Sequence, residues 1–257
     1  MREAWEVLTA GPEDAHRSVL LLPGGANSAR SFNLVMAEQA LSGVRLVATT
    51  LPGMAGAPLT ADVSGPALAR RAGEVAAEHS CDVVAGFSHG ATIALEMLLS
   101  GHFHGPVVLL GISLTTQDEA GFFRAAVRAS QKVGSWPMAI LLRLLPLMAR
   151  SAKTPEPHKR ELIEDLKQNK PADSVRVSGE YLDYIAAGVL EMVPLAGPLV
   201  VAVVATRMAG ERVVAVLVFL AGFALPALQN PVLLLGGAII GFFLPRWYVH
   251  RRQGKRI

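Results

Sequence analysis

Apolar residues in the first 114 positions fall into short continuous runs separated by amphipathic stretches. Ser18–Leu22 (SVLLL), Arg45–Thr49 (RLVAT), Asp82–Ala85 (DVVA) and Val107–Leu110 (VVLL) are rich in branched residues and bounded by turn formers. That is the pattern of strands buried on both faces. Between them, Ser31–Leu41, Ser64–His79 and His89–Leu99 have helical length and one-sided apolar spacing. Strands alternating with such helices predict an α/β domain on a parallel sheet covered on both sides.

From Asp118 to about Gly188 no strand-like run follows. Phe122–Lys132, Pro137–Ala149, Pro155–Asn169 and Val177–Ala187 read as helices, punctuated by Pro137, Pro146, Pro155, Pro157 and Pro171. An all-helical insertion after the last clear strand is expected to form a cap over the sheet's active edge; an ordinary helical subdomain is the other reading. Residues 1–190 are thus expected to form one domain, with the cap at about 118–188, short of its last strands. Residues 191–257 form a separate segment.

That segment changes texture. Val213–Pro245 is 33 residues without a charged side chain, broken only by Gln229-Asn230-Pro231. One membrane span needs about 20 residues, so the run predicts a hairpin of two short apolar helices, Val213–Leu228 and Val232–Val249. Arg207 and Arg212 precede it; Arg246, Arg251, Arg252, Lys255 and Arg256 follow. Positive charge on both flanks puts both ends in the cytoplasm, and Trp247 and Tyr248 lie where interfacial aromatics belong. Arg2, Glu3, Glu6, Glu13 and Asp14 interrupt any apolar signal region near the start. The expected location is the inner (cytoplasmic) membrane with the α/β body in the cytoplasm, or the cytoplasm if the run instead belongs to the α/β core.

Composition narrows the classes. The chain has 257 residues, 51% hydrophobic and 18% charged, below the roughly 25% charged of an average soluble domain, which excludes disorder. A single cysteine excludes an internal disulfide framework, and no Cys/His cluster has zinc-site spacing, so no metal is expected. The net charge of +3 joins unlike parts: residues 191–257 hold seven basic and two acidic residues, leaving 17 basic and 19 acidic before them. A mildly acidic body with a basic, apolar tail is not expected to bind nucleic acid.

Chemistry enters at Gly86-Phe87-Ser88-His89-Gly90, a G-x-S-x-G directly after the strand Asp82–Ala85 and opening the helix His89–Leu99. A nucleophile elbow requires this placement: a sharp strand-to-helix turn exposes Ser88 Oγ at the sheet's carboxyl edge, and glycines two residues away keep side chains out of the bend. The helix N-terminus favours developing negative charge. A second feature, Leu21-Leu22-Pro23-Gly24-Gly25-Ala26-Asn27, ends an earlier strand in a glycine loop. An oxyanion hole needs two preorganised donors; the candidates are the Gly25 and His89 N–H groups. Leu51-Pro52-Gly53-Met54-Ala55-Gly56 closes the next strand and reads better as a tight connection.

These segments resemble the α/β-hydrolase fold superfamily. LLPGGANSARSF is similar to the family's oxyanion-loop segment, LPGMAG to the turn that follows, and GFSHGATIALEML to the elbow and its helix, while the helical stretch resembles the cap. The resemblance covers about residues 18–190. It implies a serine nucleophile, Ser88, served by a histidine base and an acid, no cofactor, and a small-molecule ester or amide substrate.

A triad needs its base, because a serine hydroxyl is a weak nucleophile until its proton is taken. His16, His79, His102 and His104 precede strands and so belong at the opposite end of the sheet. His158 lies in a charged helix and reads as solvated. His250 has the right order but sits in the basic cluster VHRRQGKR. Asp118, after Val107–Leu110, is a candidate acid or a helix cap. The tail NPVLLLGGAIIGFFLPRWYVHRRQGKR resembles the membrane segment of tight-adherence pilus and type II secretion inner-membrane platform proteins. Two readings follow: a serine hydrolase of uncertain triad, or a catalytically inactive, membrane-anchored fusion or truncated chain.

Overall fold

Each buried strand presents successive side chains to opposite faces, and here both faces are covered. In the computed structural model, which describes residues 5–113, 115–150 and 155–187 and the backbone of 199–200, β2 (Ser18–Leu22) is buried throughout. Leu20 and Leu22 join Val47, Val84, Val107 and Leu109 on one side; Val19 and Leu21 join Leu46, Ala48, Val83, Ala85 and Val108 on the other.

The sheet order is β1-β3-β2-β4-β5-β6, with β1 Val7–Ala10, β3 Arg45–Thr49, β4 Val83–Phe87, β5 Val107–Leu110 and β6 Leu199–Val200. The expected parallel sheet is corrected at one edge. β1 runs antiparallel to β3, Val7 opposite Thr49, while the other pairs are parallel. Its four residues, VLTA, are only partly buried, too short and mixed for periodicity to mark.

The predicted helix Ser31–Leu41 is also corrected. The chain there forms a 3-10 turn (Ala29–Phe32), one helical turn α1 (Asn33–Met36) and a second 3-10 turn (Gln39–Leu41). Ser28, extended at φ −98° and ψ 178°, caps the first turn through Arg30 N–H. The long helices follow their patterns: α2 is Gly65–Glu78 and α3 is His89–Leu99. Both lie on the Leu20 side of the sheet, whereas Phe32, Val35, Met36 and Leu41 cover the other. The connections leaving the neighbouring strands β2 and β4 therefore depart to opposite faces. They open a crevice at the carboxyl ends of those strands, where open α/β sheets bind ligands.

After β5 a 3-10 turn (Thr116–Asp118) leads into α4 (Gly121–Val133), α5 (Trp136–Arg150), α6 (Glu156–Gln168) and α7 (Pro171–Ala186). α4, α5 and α7 share a small core of Val127, Met138, Leu141, Leu142, Tyr181, Leu182 and Ile185. Among the described residues no helix is long and apolar enough to cross a membrane. The hairpin expected at Val213–Leu228 and Val232–Val249 lies outside the described residues, as do His250 and the basic end.

Candidate active site

β4 ends at Phe87 and α3 begins at His89, so Ser88 alone turns the chain. Its backbone sits at φ +50° and ψ −117°. Such a conformation costs a non-glycine residue on the order of 1–3 kcal/mol. The flanking glycines make the bend feasible: a Cβ on Gly86 would lie 2.3 Å from Gly90 O, and one on Gly90 would lie 2.2 Å from Leu22 O. Both obstacles are main chain and cannot rotate away. Ser88 N–H donates to Leu110 O at 2.8 Å, and Ser88 O accepts from Ala91 N–H at 2.8 Å. The strained residue is thus tied to β5 and to the first turn of α3, with its side chain partly exposed.

Beside it runs the loop after β2. A Cβ on Gly24 would lie 3.0 Å from Phe87 Cδ1 and 3.4 Å from Ser88 Cβ, so the absent side chain lets this backbone come close to the serine. Gly25 is exposed, with open space where its Cβ would be. Close approach is therefore a property of Gly24. As the first helical amide, His89 N–H has no intrahelical acceptor. Among the described residues neither it nor Gly25 N–H has a backbone acceptor.

Side chains absent from the sequence-level candidates hold that loop. Asp165 on α6 is 1% exposed. It accepts from Ser28 N–H at 3.2 Å and, in shorter contacts, from Ser28 Oγ and Arg30 Nη2. Asn169, one turn on, donates to Ala26 O and accepts from Ala55 N–H, both at 2.9 Å. It pins the loops after β2 and β3 together, and Met54 Sδ accepts Ala26 N–H between them at 3.1 Å. An Asp and an Asn four apart in an otherwise charged helix read as solvated. No local signal could have found them.

The His89 imidazole is buried, its ring 4.8 Å from that of Tyr181 on α7. Burial pulls its pKa from 6.5 to about 4. The folded protein keeps the ring neutral where the unfolded chain protonates it, so this contribution to stability is whole above pH 6.5 and lost as pH falls toward 4. A deficit of about 2 kcal/mol is expected by pH 5. Urea unfolding at pH 7.5 and pH 5 checks this: His89→Leu should lose less stability on acidification than the wild type, and equal losses would refute it.

Asp118 is corrected as a candidate acid. It is exposed and closes a capping box: Thr115 N–H donates to Asp118 Oδ2 at 2.8 Å, and Gln117 N–H donates to Thr115 Oγ1 at 3.2 Å. Its neighbour Glu119 is the carboxylate that meets the helical layer, accepting from Ser113 Oγ at 2.6 Å and from the Tyr181 hydroxyl at 2.5 Å. Burial and Glu119 push the Tyr181 phenol up, keeping it a proton donor. His158 is corrected too: packing of α6 leaves its side chain only 14% exposed, with Nδ1 3.6 Å from Glu161. His16, His79, His102 and His104 precede strands at the far end of the sheet. Among the described residues no histidine is hydrogen-bonded to Ser88.

Comparison with known proteins adds a family. No curated protein matches the chain. Among solved structures it is similar to an esterase from Exiguobacterium antarcticum (16% identity, 74% of each chain, TM-score 0.55). It is similar to an N-acyl homoserine lactonase complexed with N-butanoyl homoserine (15% identity, 76% of this chain and 72% of that one, TM-score 0.56). A third similar structure is a carboxylesterase of the ammonia-oxidizing thaumarchaeon Nitrososphaera gargenis (12% identity, 77% and 75%, TM-score 0.56). At these identities the likeness is one of fold. The tail's resemblance to pilus and secretion platform proteins finds no support in these comparisons. The model of the Alpha/beta hydrolase family matches residues 19–203. That stretch takes in the glycine loop, the serine bend and helices α4 to α7, and the chain belongs to the Alpha/beta hydrolase family.

Proposed function

We propose that this chain is a serine hydrolase that cleaves a small carboxylic ester or amide by acyl transfer, with Ser88 as nucleophile. The observation that carries the reading is the backbone of Ser88, held at positive φ between two sterically required glycines at the carboxyl edge of β4. A strained residue persists only where its surroundings impose it, and such strain clusters at functional sites.

In this reading Ser88 Oγ attacks the carbonyl carbon. The charge forming on the carbonyl oxygen is received by the Gly25 amide of the loop after β2 and by the His89 amide at the N-terminus of α3. Collapse of the tetrahedral adduct breaks the bond to the alcohol or amine, which leaves carrying the proton given up by the Ser88 hydroxyl; water then hydrolyses the acyl-serine, releasing the acid and restoring the hydroxyl. Esterase and lactonase structures of the same fold support an ester or amide as the substrate class. A fluorophosphonate probe tests the nucleophile: peptide mapping after labelling should find the adduct on Ser88. Folded protein that takes no label, or carries it on another residue, rejects the proposal.

A further inference from the structure

α5 buries one face and exposes another that is equally apolar. Met138, Leu141 and Leu142 join the helical core and Pro146 is buried, while Trp136, Ile140, Leu144 and Leu147 are 60%, 48%, 47% and 52% exposed. At 3.6 residues per turn those four fall within an arc of about 80°, so they form one stripe. Phe122 and Val133 of the adjoining α4 are also exposed, at 55% and 57%. Single exposed apolar residues are ordinary, but a contiguous patch marks an interaction surface.

Charge identifies the partner. Between Gly121 and Arg150 there are five basic residues and no acidic one. Arg128, Lys132, Arg143 and Arg150 are exposed and, among the described residues, in no ion pair. Arg143 and Arg150 lie about 20–40° from the edge of the stripe. The acidic residues of the neighbouring α6 do not cancel this charge. Glu161 bonds Asn33, Glu164 pairs with Arg30 and Asp165 is buried against Ser28, all toward the sheet domain, while Glu156 pairs with Lys159 of its own helix. An apolar stripe containing a tryptophan, with Arg143 and Arg150 along one edge and no acidic residue on its own helix or on α4, is the pattern of a helix that lies in a lipid interface.

We infer that the exposed face of α4 and α5 docks on an anionic lipid bilayer surface, with Trp136, Ile140, Leu144 and Leu147 entering the headgroup boundary and the flanking arginines and Lys132 meeting anionic headgroups. The residues of this contact are other than those of the C-terminal apolar run and those assigned to the serine site.

The test places its reporter on α5, so that attachment through any other segment does not register. Ile140→Cys in the full chain carries a maleimide-linked, polarity-sensitive fluorophore. Cys81, the other cysteine, is buried with its thiol pushed up by burial, which directs labelling to position 140. Vesicles of mixed phosphatidylglycerol and phosphatidylcholine should shift the emission to the blue, and phosphatidylcholine alone should not. Arg143→Gln with Arg150→Gln should raise the vesicle concentration needed by about 25-fold, roughly fivefold per charge. Leu144→Glu should abolish the shift.

No shift with anionic vesicles, even when the protein sediments with them, overturns the inference and assigns attachment elsewhere. An equal shift with neutral vesicles overturns its electrostatic part. Emission already blue without lipid overturns it in favour of a protein partner: a second copy if the signal depends on protein concentration, the chain's own tail if it does not.

Discussion

Replacing Ser88 by glycine should abolish hydrolysis of an activated ester such as p-nitrophenyl acetate while raising stability by about 1 kcal/mol. The two effects share one cause. At φ +50° and ψ −117° a side chain costs about 1–3 kcal/mol, which glycine escapes, less about 0.5–1 kcal/mol for its freer unfolded chain. Ser88→Ala separates them: it also lacks the nucleophile but keeps a Cβ, so it should lose turnover without gaining stability. Residual hydrolysis from the remaining oxyanion donors and binding would stand at most roughly 10³–10⁴-fold above water. Turnover measured beside urea unfolding decides the matter. Undiminished hydrolysis by Ser88→Gly ends the nucleophile assignment, and an equal stability gain in Ser88→Ala ends the strain argument.

The second large effect is expected at Arg30, distant in sequence from the serine. Asp165 is almost wholly buried, whereas the Arg30 side chain is one-third exposed. Arg30→Ala removes the cation and leaves a buried carboxylate held only by Ser28, a change of the kind that costs about 3 kcal/mol. The longer pair from Arg30 to the exposed Glu164 contributes little. Adding Asp165→Asn removes the stranded charge while keeping an acceptor for Ser28, so the double variant should recover part of the loss. Because Ser28 and Arg30 anchor the loop that carries Gly25, Arg30→Ala should also slow fluorophosphonate labelling under conditions where it is still folded. Chemical denaturation measures the first effect. A loss under about 0.5 kcal/mol would mean that the buried carboxylate does not depend on Arg30.

Much of this molecule follows from local pattern. Continuous apolar runs mark β2, β3, β4 and β5 because strands covered on both faces have no polar side to show. The span His89–Leu99 coincides with α3, since the turn before it and the apolar spacing within it agree. The glycines around Ser88 are legible for the same reason: their clashes involve chain within a few residues and the neighbouring strand. Other features escape such reading. β1 is a short edge strand that owes its pairing to β3. The run Ser31–Leu41 has helical spacing, yet it is broken into short turns where Ser28 and Arg30 are tied to α6. Asp118 and Glu119 look equivalent in QDEA, and only the position of Tyr181 separates a helix cap from a carboxylate facing α7.

By itself the amino-acid order determined the alternation of strands and helices, the place of the serine bend and its flanking glycines, and the helical character of α4 to α7. These depend on backbone sterics and side-chain period, which act over a few residues. Tertiary structure alone decided which carboxylate is buried against which cation, that Asn169 joins two loops, that His89 is held neutral beneath Tyr181, and which face of α5 stays open. Those outcomes depend on groups up to 143 positions apart, as Ala26 and Asn169 are. Their pairing energy exists only after the sheet and its helices bring them within hydrogen-bond distance.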